Sequence, residues 1–546
     1  MSDYALLAEL LFPHIDKTPE DYEAVYPPRN LPEGAKVTRF APSPTGFMHL
    51  GNLFVSMIDS IAARDGGVFY LRIEDTDKKR EVEDAVERIL HGLAAFGIVP
   101  QEGEQADGGA LGDYGPYRQS QRKDIYQCYA KSLVEKGLAY PCFCTEEELN
   151  YLRAKQETAG ANPGYYGEWA VFRNAPLGEV RRRLRAGEPY VLRLRSDGSE
   201  EKKIVVEDLV KGKIEMPENI MDLVLLKADG IPTYHFAHAV DDHLMRTTHV
   251  VRGDEWIASL PVHIALFCAL GFKAPKYVHV SPIMKTDGGG KRKLSKRKDP
   301  EAAVSYYAEQ GYPKEGVVTY LLTLANSNFE DWLRANPGKA VTGFPFNFKK
   351  MSPSGALFDL AKLNDICKNV ISVMTAEQVY DYVMDWAAQF DKTLHDLFSA
   401  DPCYAKAILS IDRGVKKPRK DIATWSQVLD YVSYFYDEAF RQRFDLPENI
   451  SAAGAKAILS AYAAVYDEND DKDAWFERIK ALCEPLGLTP NVKEFKANPQ
   501  NYKGHVGDVS TVIRLALTGR ENTPDLYSIM RLLGKDRVLR RLNTAL

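Results

Sequence analysis

Cysteine is sparse in this chain. Seven thiols (Cys128, Cys142, Cys144, Cys268, Cys367, Cys403, Cys483) form an odd, scattered set in 546 residues, which excludes a disulfide framework and predicts reduced, mostly buried side chains in a cytoplasmic protein. Long apolar runs are missing too. No stretch approaches about eighteen uninterrupted apolar residues, and MSDYALLAELLFP carries Asp3 and Glu9 where a signal peptide wants lysines, so neither export nor membrane insertion is expected. There is no surplus of positive charge: 70 Lys plus Arg stand against 76 Asp plus Glu, a net −6, which taken alone argues against a polyanionic partner. Neither GxxxxGK(S/T) nor a GxGxxG after a strand is present, which removes Walker-type and dinucleotide chemistry. No internal repeat or low-complexity tract interrupts the pattern. The remainder is 45% hydrophobic, enough for several ordinary cores, and the length predicts roughly three to four domains.

After a polar, proline-bearing extension of some 35 residues, KVTRF reads as a strand and APSPTGFMHLGN as a loop entering a helix. Leu53, Phe54, Met57, Ile58 and Ile61 recur at helical spacing, Gly66-Gly67 stops the helix, and VFYLRI follows as a strand. Lys36 to Ile73 is therefore a βαβ unit, whose parallel strands place ligands beyond their carboxyl ends, so Arg39 to His49 and Glu74 to Asp77 should face one crevice. PYVLRLR and KIVVEDLV read as strands of an insertion, and DLVLLKADGIPTYHF as a hairpin turning at Asp229-Gly230. KYVHVSPIMK is a strand opening onto TDGGGKRKLSKRKDP, where three glycines predict a mobile loop and six of the eight residues from Lys291 to Lys298 are basic. Beyond about Thr375 the pattern becomes helical.

Chemistry concentrates at two of these places. Pro42 and Pro44 stiffen the first loop, Gly46 opens it, and it ends in His49-Leu50-Gly51-Asn52 at a helix N-terminus, where helix dipole, backbone N–H groups and an imidazole converge on a phosphate-sized site. A structural histidine at a helix start is the alternative. KRKLSKRK is by itself either a solvated face or a phosphate site. Together, HLGN and KLSKR, separated by an insertion, resemble the two signature sequences of class I aminoacyl-tRNA synthetases. RFAPSPTGFMHLGN, YLRIEDTD, GPYRQSQR, GIPTYHFAHAVDDHLM, VVRGDEW and GKRKLSKR are, in order and spacing, similar to the glutamyl-tRNA synthetase family of bacterial type.

That resemblance implies an α/β catalytic domain, Rossmann-like and split by an α/β insertion, followed by all-α C-terminal domains. The implied divisions are 1–35 (extension), 36–112 and 222–299 (catalytic halves), 113–221 (acceptor-end insertion), 300–374 (stem-contact connector) and 375–546 (anticodon-binding region). It implies a ligase that forms glutamyl adenylate from L-glutamate and ATP with Mg²⁺ and passes glutamate to tRNA(Glu). Charging of tRNA(Gln) as well is the alternative. Glutamate contacts would be Arg39, Ala41, Ser43, Glu74, Tyr234, His238 and Arg252. His49, Gly51, Asn52, Glu255, Trp256, Lys293 and Lys296 would serve ATP, with His49, Lys293 and Lys296 acting in the chemistry. His238 stands where many relatives have asparagine. A monomer is expected, without a membrane partner. Nearest among the enzymes left standing is a glutaminyl-tRNA synthetase, which usually ends in β-barrels.

Metal sites are not expected. Cys142 and Cys144 resemble the start of a zinc site found in some members of the glutamyl-tRNA synthetase family, completed there by a tyrosine and a fourth-ligand cysteine; here Tyr165 is available but Trp169 occupies the cysteine position, and three ligands do not close a structural tetrahedron. His235, His238, Asp241, Asp242 and His243 could be drawn as a hydrolase metal site, which would leave both signatures unexplained. In the last third, Arg413, Lys416, Lys417, Arg419 and Lys420, and Lys535, Arg537, Arg540 and Arg541, are candidate phosphate contacts, with Trp425 and Tyr434 as candidate base-stacking rings.

Overall fold

The computed structural model describes residues 3–44, 46, 48–77, 82, 84–295 and 297–545. These divide into two units, Met1–Tyr306 with Val318–Asp359, and Tyr307–Val317 with Leu360–Leu546.

In the first unit, α1 (Asp3–Leu11) and α2 (Pro19–Val25) precede β1 (Val37–Phe40), α3 (Leu50–Ala62) and β2 (Val68–Leu71). β1 and β2 are parallel, with Val37 opposite Val68 and Phe40 opposite Leu71, as the βαβ pattern requires. α4 (Ala85–Ala94) then leads to β3 (Glu102–Glu104), parallel to β2, and to β4 (Ala110–Leu111), antiparallel to β3. The chain next builds α5 (Lys123–Glu135), β5 (Ala139–Cys142), α6 (Glu146–Thr158), α7 (Leu177–Arg185), β6 (Val191–Leu194), β7 (Lys203–Asp208), β8 (Gly212–Pro217) and β9 (Val224–Leu226). β5, β6 and β9 form one antiparallel sheet, and β7 and β8 a separate hairpin. After α8 (Tyr234–Leu244), β10 (His249–Gly253) pairs in parallel with β11 (Lys276–Val280) across α9 (Leu260–Leu270). The Val37 amide donates to Thr248 Oγ1 at 2.8 Å and Thr248 N to Val37 O at 3.0 Å, stitching β1 to the start of β10. The carboxyl ends of both strand pairs therefore open on the same side.

In three places the structure departs from the expected pattern. The N-terminal stretch is no loose polar extension: Leu7, Ala8, Leu11, Phe12 and Ile15, a helical stripe, share one buried core with Ile125, Tyr129 and Leu133 of α5. The expected hairpin at Asp229-Gly230 has a second arm of a single bridge, Leu226 to Pro232, because Pro232 has no N–H to extend a ladder and Tyr234 already begins α8. The glycine-rich loop is ordered as a tight hairpin of β12 (Met284–Asp287) and β13 (Gly290–Lys293). Gly288 and Gly289 adopt φ of 55° and 90°, the pair of positive values that a two-residue type I′ turn demands.

The second unit is helical throughout its regular structure. Thr375, Asp391, Asp401, Ser451, Asp471 and Asp525 each accept a backbone N–H at a helix start, which explains why helix follows helix so closely there. Among the described residues no helix is long and apolar enough to cross a membrane.

Candidate active site

The carboxyl ends of β1, β2, β10 and β11 surround a crevice of about 580 Å³. Twelve of the expected site residues line it: Arg39 on β1, Ala41 and Ser43 after it, His49, Gly51 and Asn52 at the start of α3, Glu74 after β2, Tyr234 opening α8, Arg252 on β10, Glu255 and Trp256 in the turn beyond, and Lys293 on β13. His238 does not line it. Its ring is fully buried, with Nδ1 2.8 Å from Asp242 one helical turn on and Nε2 3.3 Å from the Tyr277 hydroxyl. It stacks behind Tyr234, ring centres 6.1 Å apart, so it meets the crevice only through neighbours. Lys296 lies outside the described residues.

Charge beneath the crevice is organised around Asp242, which the sequence pattern offered only as part of a metal-like cluster. Arg72, fully buried, donates to Asp242 Oδ1 at 2.7 Å and to Glu74 Oε1 at 3.0 Å. Arg39 Nε lies 3.3 Å from the same Asp242 oxygen, and its Nη1 donates to the Val251 carbonyl at 3.2 Å. Burial would raise the Asp242 carboxyl, but Arg72, Arg39 and His238 outweigh it and hold the group well below the usual carboxylate range. At Glu74 burial prevails over Arg72 and Arg39, and its carboxyl lies above its ordinary value. Burial drives His238 down to about 4 against the pull of Asp242. Arg72 was missed because it follows the apolar run VFYL; a lone guanidinium at the end of a buried strand was the available signal.

The first signature is built differently from expectation in one detail. His49 caps α3 by accepting the Gly51 N–H on Nδ1 at 2.9 Å, so that amide is used within the protein and the neutral ring carries its proton on Nε2. A Cβ on Gly51 would lie 3.2 Å from His49 Nδ1, and glycine keeps this approach open. The rings of Tyr234 and Trp256, 4.5 Å between centres, form a wall of the crevice.

Among the described residues no group of three or more His, Cys, Asp or Glu side chains could hold a metal ion. The cluster on α8 separates by face: His235 Nδ1 meets His263 Nε2 at 3.0 Å, Asp241 accepts from Arg122 at 2.7 Å, and His243 meets Glu23 at 2.6 Å while stacking on Phe272. Cys144 Sγ lies 3.7 Å from the Tyr165 hydroxyl, and Trp169 is half-buried.

The second unit corrects several phosphate and base candidates. Arg413 donates to the Ile371, Met374 and Leu409 carbonyls, Arg537 to that of Phe435, and Arg541, 3% exposed, to those of Tyr434 and Leu517. These guanidiniums close helix ends inside the fold. Trp425 and Tyr434 are 4% and 1% exposed and pack in the core, where no base can stack on them. Lys416, Lys417, Lys420 and Lys535 are exposed, as is Arg540, which pairs with Asp437. Arg419 pairs with Asp421.

The model of the catalytic domain of class I tRNA synthetases (E and Q) matches residues 36–335, and that of an anticodon binding domain matches 376–546. The chain is 50% identical over 544 residues to a glutamate–tRNA ligase of Clostridium perfringens (strain 13), covering 99% of this chain and 100% of that one. It is 50% identical over 546 residues to one of Acetivibrio thermocellus, covering 100% of both. A crystal structure of a glutamate tRNA ligase from Elizabethkingia meningosepticum in complex with its amino acid matches with a TM-score of 0.73 at 29% identity, over 93% of this chain and 99% of that one.

Proposed function

We infer, from the premise that this chain belongs to the class I tRNA synthetases (E and Q), that it is a glutamate–tRNA ligase. The observation that carries this reading is the meeting, in one crevice, of two arginines, Arg39 and Arg252, with the His49-Gly51-Asn52 helix start and Lys293. Two guanidiniums facing a side-chain carboxylate give charge-assisted bonds, whereas a glutamine amide turns N–H groups toward them. Glu74 stands nearby to receive the substrate's amino group, with Tyr234 as a further substrate contact. The α-carboxylate of glutamate attacks the α-phosphorus of ATP, pyrophosphate leaves, and a ribose hydroxyl of the terminal adenosine of tRNA(Glu) then attacks the adenylate carbonyl, releasing AMP.

No protein nucleophile is required: the residues position the reactants and neutralise charge on the leaving pyrophosphate. Lys293 supports that role from the hairpin, and Lys296 joins it by resemblance. Mg²⁺ accompanying the triphosphate would offset charge on its phosphate oxygens and would call for no dedicated protein cage. We assign residues 113–221 to the acceptor end and 375–546 to the anticodon, in a monomer working in the cytoplasm.

Aminoacylation with purified tRNA(Glu) and tRNA(Gln), each with glutamate and with glutamine, tests the reading. Glutamate on tRNA(Glu) is expected; charging with glutamine, or none with glutamate, overturns it. Glutamate on tRNA(Gln) would mark a non-discriminating enzyme.

A further inference from the structure

Among the described residues, Arg252 is a buried cation without an anion. It is 5% exposed, yet no carboxylate of those residues lies within ion-pair distance, whereas Arg39 and Arg72 both pair with Asp242. Its Nε donates to His279 Nε2 at 3.0 Å, its Nη1 meets His263 Nδ1 at 3.1 Å, and its Nη2 donates to the Trp256 carbonyl at 3.4 Å. The Tyr277 ring centre lies 4.7 Å from Cζ.

Arginine has only donors, so both imidazoles must offer a lone pair, and both are neutral with their tautomers decided. His279 carries its proton on Nδ1 and gives it to Asp208 at 2.7 Å; His263 carries its proton on Nε2, 3.0 Å from His235 Nδ1. The result is one chain, Asp208 to His279 to Arg252 to His263 to His235, drawn from five elements. The rings of His263 and His279 are fully buried. A carboxylate in either place would satisfy the same N–H groups but would also neutralise the guanidinium and compete with an incoming anion. A neutral acceptor fixes orientation and leaves the charge intact.

We propose that His263 and His279 are positioning residues that hold Arg252 through uncharged acceptors, so that its full charge is available to the substrate's carboxylate. This rests on the reading of the crevice as a glutamate site. It gives the insertion a part in substrate selection, since Asp208 ends β7 and anchors the His279 ring.

The test compares substitutions of like shape and different charge in the full chain. In ATP–pyrophosphate exchange with tRNA present, His263→Asn, which keeps an acceptor near the Nδ1 position, is expected to hold the KM for glutamate within about threefold of wild type. His263→Asp is expected to raise it about tenfold or more relative to His263→Asn, the effect of one hydrogen bond to a charged group, with the KM for ATP unchanged. Equal glutamate KM in the two variants, or a parallel rise in the KM for ATP, overturns the proposal. Should thermal unfolding show that His263→Asp does not fold, His279→Gln against His279→Glu makes the same comparison with the same deciding outcomes. A wild-type protein that shows no exchange with glutamate removes the reading of the crevice; active wild type with indistinguishable variants removes this proposal alone.

Discussion

Arg72 donates to Asp242 at 2.7 Å with both side chains fully buried. Arg39 shares that carboxylate at 3.3 Å, so two guanidiniums sit on one anion, with Glu74 accepting from Arg72 on the crevice side. The arrangement ties β1 and the segment that follows β2 to α8.

Removing that anion without changing its shape should be severe. Asp242→Asn is expected to destabilise the first unit by about 3–5 kcal/mol, because it leaves two buried cations short of their partner. Thermal unfolding measures this, and an unchanged midpoint would show that the charge is not structural.

Acid should weaken the fold through two histidines. Burial lowers both His238 and His249 to about 4 from the ordinary value of 6.5. The unfolded chain therefore takes up protons first, and the stability of the neutral buried rings is complete above about pH 6.5 and lost as pH falls toward 4. Between pH 7 and pH 5 the loss is about 2 kcal/mol for each ring. Denaturant midpoints at the two pH values check this, and His249→Gln should reduce the difference by about 2 kcal/mol; a midpoint that rises on acidification contradicts the assignment.

Lys293 lines the crevice from an exposed hairpin, so its loss should affect chemistry and spare stability. Lys293→Ala and Lys296→Ala are each expected to lower the kcat of ATP–pyrophosphate exchange by about 10²-fold, the size of one preorganised donor to developing charge, with an unchanged melting temperature. An unaltered exchange rate in Lys296→Ala removes the second signature from the mechanism.

In the second unit, exposed lysines and buried arginines should separate cleanly. Joint replacement of Lys416, Lys417 and Lys420 by alanine is expected to weaken tRNA binding and reduce the salt slope by about one for each phosphate no longer neutralised, with folding intact. Arg541→Ala should instead lower the unfolding midpoint, since it leaves the Tyr434 and Leu517 carbonyls without their donor. Filter binding over a salt series, beside thermal unfolding, distinguishes the two.

The catalytic scaffold was largely legible in the order of residues. The apolar period of Leu53 to Ile61 between two short strands specifies a βαβ unit, and such a unit dictates where Arg39, His49 and Glu74 must face. The helical last third was equally plain. Less legible were Leu7 to Ile15, whose apolar stripe gains meaning only when α5 covers it, and Gly288-Gly289, where glycine permits both a mobile loop and a tight turn. The pairing of Asp287 with Gly290, and the hold of Asp299 on Arg292, select the turn.

By itself the sequence determined which backbone periods form, where helices begin, and which residues the strand ends must present, because these depend on neighbours a few positions away. Only the tertiary structure decided what each charge meets. Arg39 finds Asp242 about two hundred positions away, Arg252 finds two imidazoles, and His238 turns from the ligand to the core. Burial and partnership set whether a charged group binds substrate, braces the fold or waits for an anion, and both arise only when distant segments exclude water together.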